Sequence, residues 1–116
     1  MQLRCSQQGD VMSVEVAGST LDAECADEFR DQLEASIATS RKVLLDLGAV
    51  VFADSTGLGA ILGCLHRAAA CGRTFRICNL RPLVQEMFHV LRLDRLVEVH
   101  ATPEEALRAF GAPQPA

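Results

Sequence analysis

The run Val43-Leu44-Leu45, with Leu47 beyond Asp46, restricts this chain more than any other stretch. Consecutive apolar residues in an extended strand project to both faces, so this segment suits a central strand covered above and below. The flanking sequence carries two helical patterns. Ahead of the run, Ala26, Phe29, Leu33 and Ile37 form an inward stripe, with Glu24, Asp27 and Glu28 in the first turns and Asp22 placed to cap them. This helix should stop near Ser40. Behind the run, Leu58, Ile61, Leu62, Leu65 and Ala69 keep the three-and-four spacing of a second helix, which Gly72 can end.

The remaining segments extend the alternation. Leu3 and Cys5, a turn at Gln8-Gly9-Asp10, and Met12, Val14 and Val16 alternating with Ser13 and Glu15 read as a hairpin with one buried face. Phe75 to Cys78 reads as a strand. A third helix starts at Pro82 and buries Leu83, Val84, Met87, Phe88 and Leu91, and a brief strand follows over Leu96 to Val99. Thr102-Pro103-Glu104-Glu105 is a capping box that opens a last helix running to about Phe110. The expected fold is therefore α/β: one domain over residues 1–111, a mixed four- to five-stranded sheet flanked by about four helices, and a disordered tail over 112–116.

Size and charge remove several function classes. A chain of 116 residues that is 49% hydrophobic fits one compact domain and has no room for a second. Net charge is −4 and the basic residues are scattered, which argues against nucleic acid as a partner. No apolar run approaches the roughly 20 residues of a membrane span, and MQLRCSQQGD lacks the apolar core of a secretion signal. The expectation is a cytoplasmic protein without direct membrane contact. Five cysteines without a C-x-x-C pair suit neither a disulfide framework nor a zinc site, so free thiols and no metal are expected. Cys64, Cys71 and Cys78 recur every seven residues, but the pattern crosses from helix to strand, and core filling accounts for it better.

Chemistry-bearing residues concentrate in FADSTGLGAIL, Phe52 to Leu62. Gly57, Gly59 and Gly63 are spaced GxGxxxG, which is not the dinucleotide fingerprint, and no acid sits about 20 residues on to hold a ribose. A P-loop is excluded because no glycine-lysine-hydroxyl triplet occurs. Close backbone packing is the simpler expectation for these glycines. A hydrolytic Ser55 would need a base within about 3 Å. His66 lies about 16 Å along the same helix at 1.5 Å per residue, and the GxSxG elbow is missing. His89 and His100 read as surface or helix-end residues. No catalytic residue and no cofactor are expected. Two readings of Ser55 stay open on the residues alone: a helix cap shared with Asp54, or a hydroxyl presented at a helix start to a modifying enzyme.

The longer segment VLLDLGAVVFADSTGLGAILGCLHRAAACGRTFRICNLRPLVQEMFHVLRLDRLVEVH resembles the STAS domain family, and within it the small single-domain bacterial anti-sigma factor antagonists. The match runs from about Met12 to Phe110. The resemblance implies one part of a partner-switching system that regulates transcription. Its unphosphorylated form would bind an anti-sigma factor that is also a serine kinase of the GHKL type, freeing the sigma factor. Phosphorylation by that kinase, the only user of ATP, would release the antagonist, and a metal-dependent serine phosphatase would reset it. By this resemblance the antagonist would itself catalyse nothing.

By the same resemblance the acceptor is Ser55, the hydroxyl residue after the motif's aspartate, with Thr56 the minor alternative. Asp54 and Asp22 match the family's two acids near that serine, and Gly57 and Leu58 complete the phosphosite neighbourhood and partner-binding set. Gly18-Ser19-Thr20-Leu21-Asp22 stands where relatives often read Gly, an acid, Leu, Asp, one residue longer and one charge fewer. Ala53 is smaller than the usual aliphatic residue and leaves room for a neighbour such as Met87. Two alternatives accompany this reading: a constitutive STAS subunit of another assembly such as a lipid transporter, and a nucleotide-binding STAS module.

Overall fold

The computed structural model describes residues 3–111, so the tail expected over 112–116 lies outside the described residues. The elements in order are β1 (Leu3–Gln8), β2 (Val11–Val16), β3 (Thr20–Leu21), α1 (Ala26–Thr39), β4 (Lys42–Asp46), β5 (Phe52–Ala53), α2 (Ser55–Ala70), β6 (Thr74–Cys78), α3 (Pro82–Val90), a 3-10 turn over Leu93–Arg95, β7 (Glu98–His100) and α4 (Pro103–Gly111). Gly9, at φ +63°, begins the tight turn between β1 and β2, where a positive φ matches the twist of the two strands. Lys42 Nζ meets Asp10 at 2.6 Å and ties that turn to the start of β4.

The five main strands run in the order β1-β2-β4-β6-β7, so the apolar run Val43-Leu44-Leu45 is the middle of the sheet. Strand β4 pairs in parallel with β2 on one side and β6 on the other, while β1 meets β2 antiparallel. All three residues of the run are fully buried, and they divide between two cores. Val43 and Leu45 join Phe29, Leu33 and Ile37 of α1, Ile61 and Cys64 of α2, and Val84 and Phe88 of α3. Leu44 faces the other way, into a smaller cluster with Val11, Cys78, Ala106 and Phe110. Three helices thus cover one face and α4 covers the other. Each fully buried side chain of this size contributes about 1.5–3 kcal/mol, which explains why the run fixes the layer order.

The structure departs from the sequence reading where short-range pattern carries little information. Helix α1 begins three residues later than expected, with Cys25 in the capping position and no side-chain cap. Asp22 instead closes the preceding turn, its Oδ1 accepting the Glu24 N–H at 3.1 Å. In α2 the buried stripe passes through Ala68 rather than Ala69. In α3, Leu83 and Leu91 are exposed, and only Val84 and Phe88 are fully buried. The strand expected from Leu96 begins at Glu98, because Leu93–Arg95 forms a 3-10 turn first. Cys64 and Cys78 fill the core, but Cys71 caps the C-terminus of α2 and is exposed.

Near the far edge of the sheet Arg76 is buried on the α4 side. Its guanidinium lies 5.1 Å from the Phe110 ring centre and is paired with Glu98. Its Nη1 donates to His100 Nε2 at 3.2 Å, so His100 is a half-buried residue of the sheet rather than a surface one.

Candidate functional site

The site is built by a ladder of two residues on each side. Strand β3 pairs with β5 in parallel, Thr20 opposite Phe52 and Leu21 opposite Ala53, apart from the main sheet. Elements this short show no period, which is why the sequence did not reveal them. The ladder continues into α2, because the Asp54 N–H donates to the Leu21 carbonyl at 3.1 Å. The first helical residue then follows at once.

Asp54, not Ser55, is the N-cap of α2. Its Oδ1 accepts the Gly57 N–H at 2.8 Å, satisfying a helix-start donor. Its Oδ2 reaches across to the Ala23 N–H at 3.1 Å. One carboxylate therefore holds the start of α2 against the turn that precedes α1. That turn also contains Asp22, so the two acids singled out in the sequence lie on segments joined by a direct hydrogen bond.

Gly57 makes the close approach possible. A Cβ there would stand 2.2 Å from the Leu21 carbonyl oxygen, so only glycine lets α2 lie this close to β3. Gly59 and Gly63 do not share the role. Both face open space, which corrects the expectation that all the glycines serve close packing.

With Asp54 as cap, Ser55 and Thr56 occupy the first two helical positions, and both are exposed. The backbone N–H groups here have no intrahelical acceptors, and the helix dipole makes the spot favourable to an anion. Leu58 turns inward and is only 3% exposed, and Gly57 is buried, so neither offers a side chain to a partner. Asp22 and Asp54 are half-buried at the rim.

Other candidate groups stay away from this spot. His66 is exposed on α2. His89 pairs with Asp94 at 3.2 Å beyond α3, and His100 sits with Arg76 at the edge of the sheet. Among the described residues no base is hydrogen-bonded to Ser55, and no group of three or more His, Cys, Asp or Glu could hold a metal. The arrangement can present a hydroxyl to an incoming enzyme and carry the resulting anion.

The model of the STAS domain matches residues 2–106. The chain belongs to the STAS domain family. A relative from Paenibacillus polymyxa, an anti-sigma F factor antagonist, is 26% identical over 109 residues, which is 92% of each chain. A homolog of TM1081 from Thermotoga neapolitana is 33% identical over 66 residues, 57% of this chain and 58% of that one. Among solved structures, an anti-sigma factor antagonist from Mycobacterium paratuberculosis superposes with a TM-score of 0.87 at 21% identity, covering 96% of this chain and 94% of the other. The phosphorylated form of the Bacillus cell fate determinant SpoIIAA gives 0.71 at 19% identity, covering 94% and 99%. The mixed five-stranded sheet with four helices is the STAS fold in these structures as in this one.

Two features of this STAS domain were not legible as functional. The backbone cradle at Leu21 and Ala23 has no side-chain signature. Val51 and Phe52 are 46% and 45% exposed just before the site, and apolar residues beside a buried run gave no reason to place them outside. No helix among the described residues is long and apolar enough to cross a membrane.

Proposed function

We propose that this STAS domain is an anti-sigma factor antagonist switched by phosphorylation of Ser55, acting in the cytoplasm as target rather than catalyst. The observation that carries the reading is the position of Ser55: exposed, at the first residue of a long helix, with the neighbouring carboxylate of Asp54 tied down by two backbone donors. An enzyme can reach this hydroxyl without unfolding the domain. The relatives that are anti-sigma factor antagonists support the partner class.

The physical effect of phosphorylation is confined to the surface. A phosphate adds about 1.5–2 negative charges at pH 7. At a helix N-terminus the dipole favours it by about 0.3–1 kcal/mol, so the fold tolerates the charge. A like charge about 5 Å away on a partner costs about 3 kcal/mol at an effective dielectric of about 20, or roughly a hundredfold in affinity. Loss of fit around the added group acts in the same direction. The partner is then an anti-sigma factor serine kinase of the GHKL type, with a metal-dependent serine phosphatase to restore the hydroxyl.

The test is binding of Ser55→Ala and Ser55→Asp to the host's anti-sigma factor in the presence of ATP, with intact-mass analysis of the wild type. Tight binding by the alanine variant, weak binding by the aspartate variant and one added phosphate on the Ser55 peptide are expected. Equal affinities, or a phosphate elsewhere, would overturn the reading.

A further inference from the structure

The two edges of the main sheet are built differently. Strand β7 closes one edge with three residues, and both α4 and the 3-10 turn pack against it. Strand β1 closes the other with six, Leu3–Gln8, of which Arg4 to Gln8 are all exposed. Helix α4 packs on β4, β6 and β7, away from this strand. Helix α1 reaches it at Cys5, whose Sγ lies 3.6 Å from Ser36 Oγ, without burying it. Proteins commonly blunt an edge of this length with proline, lysine, a bulge or a cover. Strand β1 contains neither proline nor lysine, and its pairing with β2 runs unbroken from Leu3 opposite Val16 to Gln8 opposite Val11.

The hairpin fixes which backbone groups this edge offers. Gly9 and Asp10 form a two-residue loop, so Gln8 and Val11 close it as a hydrogen-bonded pair. Such pairs alternate along an antiparallel ladder, so Gln8, Ser6 and Arg4 turn their N–H and C=O groups toward β2. Those of Leu3, Cys5 and Gln7 point outward. Their spacing makes the row complementary to itself: a two-fold axis at Cys5 sets Leu3 opposite Gln7 of a second copy and Cys5 opposite its own equivalent. Each pair then exchanges two N–H···O bonds. In this register Arg4, held by Glu15 at 4.0 Å, faces Ser6, so no like charges meet. A slide of one step either way sets Arg4 against Arg4 or carries Leu3 past the strand onto Gly9.

We propose that β1 pairs antiparallel with β1 of a second copy of this chain about a two-fold axis at Cys5, joining two five-stranded sheets into one continuous sheet. A foreign strand is a poorer occupant. Strand addition draws its specificity from pockets that take alternate side chains, and the side chains of β1 stand exposed and wall no such pockets. The contact consists of main-chain bonds over six residues with little apolar area, less than the roughly 1,200 Å² of a standard interface, so the dimer is transient and needs high concentration. The two-fold axis reverses the direction of every strand. Strand β4 therefore ends in opposite directions in the two copies, and the two Ser55 hydroxyls lie at opposite ends of the joined sheet, both free to be engaged at once.

The experiment is sedimentation equilibrium of the full chain under reducing conditions, from micromolar to millimolar concentration, with Cys5→Glu, Cys5→Lys and their equimolar mixture. Cys5 is exposed, so both variants should keep the wild-type unfolding midpoint in dilute solution. The wild type should dimerise. Each variant alone should do so at least about tenfold more weakly, because like charges then meet on the axis, and the mixture should regain the lost association. Gln7→Pro, which removes an outward N–H and no bond to β2, should weaken the dimer as well. A short bismaleimide should join Cys5 to Cys5 well ahead of Cys71 to Cys71, although both thiols are exposed. A wild type that stays monomeric at millimolar concentration would overturn the proposal. So would dimers that survive both charge variants, a mixture no tighter than its components, or cross-links that form equally through Cys71.

Discussion

Asp54 and Ala23 are joined by a hydrogen bond of 3.1 Å between a side-chain carboxylate and a backbone N–H thirty-one positions earlier in the chain. Because the other oxygen of Asp54 caps α2 at Gly57, this residue couples the orientation of the helix that Ser55 opens to the turn carrying Asp22. Asp54→Ala should destabilise the domain by about 1–2 kcal/mol, from the lost cap and the stranded N–H groups. Asp54→Asn keeps an acceptor at the cap and should lose less. Urea denaturation of both variants checks this, and an alanine variant as stable as the wild type would remove the coupling.

Two glycines two positions apart, on opposite sides of α2, should respond oppositely to the same substitution. Gly57→Ala drives a Cβ into the Leu21 carbonyl at 2.2 Å, so α2 must move off β3, at a cost of about 1–3 kcal/mol or more. Gly59→Ala meets open space in a helix interior and should stabilise by about 0.5–1 kcal/mol. Thermal unfolding midpoints of the pair read the sign directly.

A phosphate or its mimic on Ser55 should leave the fold intact. The midpoint of Ser55→Asp should equal or exceed that of Ser55→Ala, because the negative charge stands at a helix start. A marked fall in the aspartate variant would mean that the charge meets unfavourable groups inside the domain rather than at its interface.

The cysteines should fall into kinetic classes with a thiol reagent such as Ellman's. Burial pushes the Cys64 and Cys78 thiols up to about 12, so both stay protonated and enclosed. Exposed Cys5 and Cys71 should react first. Cys25, half-buried with its Sγ 3.6 Å from the Thr20 carbonyl, should follow more slowly. Cys64 and Cys78 should react only on unfolding, and fast labelling of either in the native protein would contradict the packing described.

Stability should fall on acidification through His100. Burial, and then the Arg76 guanidinium beside it, hold this imidazole below its ordinary 6.5. A guanidinium can only donate, so its contact with Nε2 requires a neutral ring protonated at Nδ1. Glu105 on α4 opposes the shift without reversing it, and Glu98 Oε2 lies 3.7 Å from Nε2. The unfolded chain therefore takes up the proton first as pH drops. The contribution is whole above about pH 6.5 and is lost as pH falls through the lower folded value. His100→Gln should flatten this part of the slope in denaturation measured between pH 8 and pH 5.

Residue pattern alone determined the layers. Val43-Leu44-Leu45 had to be the sheet centre because an apolar side chain on each face of a strand has to be covered on each face. The stripe Ala26, Phe29, Leu33 and Ile37, the break at Gly72 and the cap at Thr102 are likewise local, repeated signals, and the structure follows them. The motif around Ser55 was visible as well. Its geometry was not, because which residue caps α2 depends on Leu21 and Ala23, more than thirty positions away. The two-residue strands β3 and β5 carry no period, so only their pairing reveals them. The exposed side of α3 was hidden for a related reason. Leucine and valine at helical spacing read as core, and only the packing of Val84 and Phe88 decides which of that helix's two apolar faces the sheet covers and which it leaves to solvent.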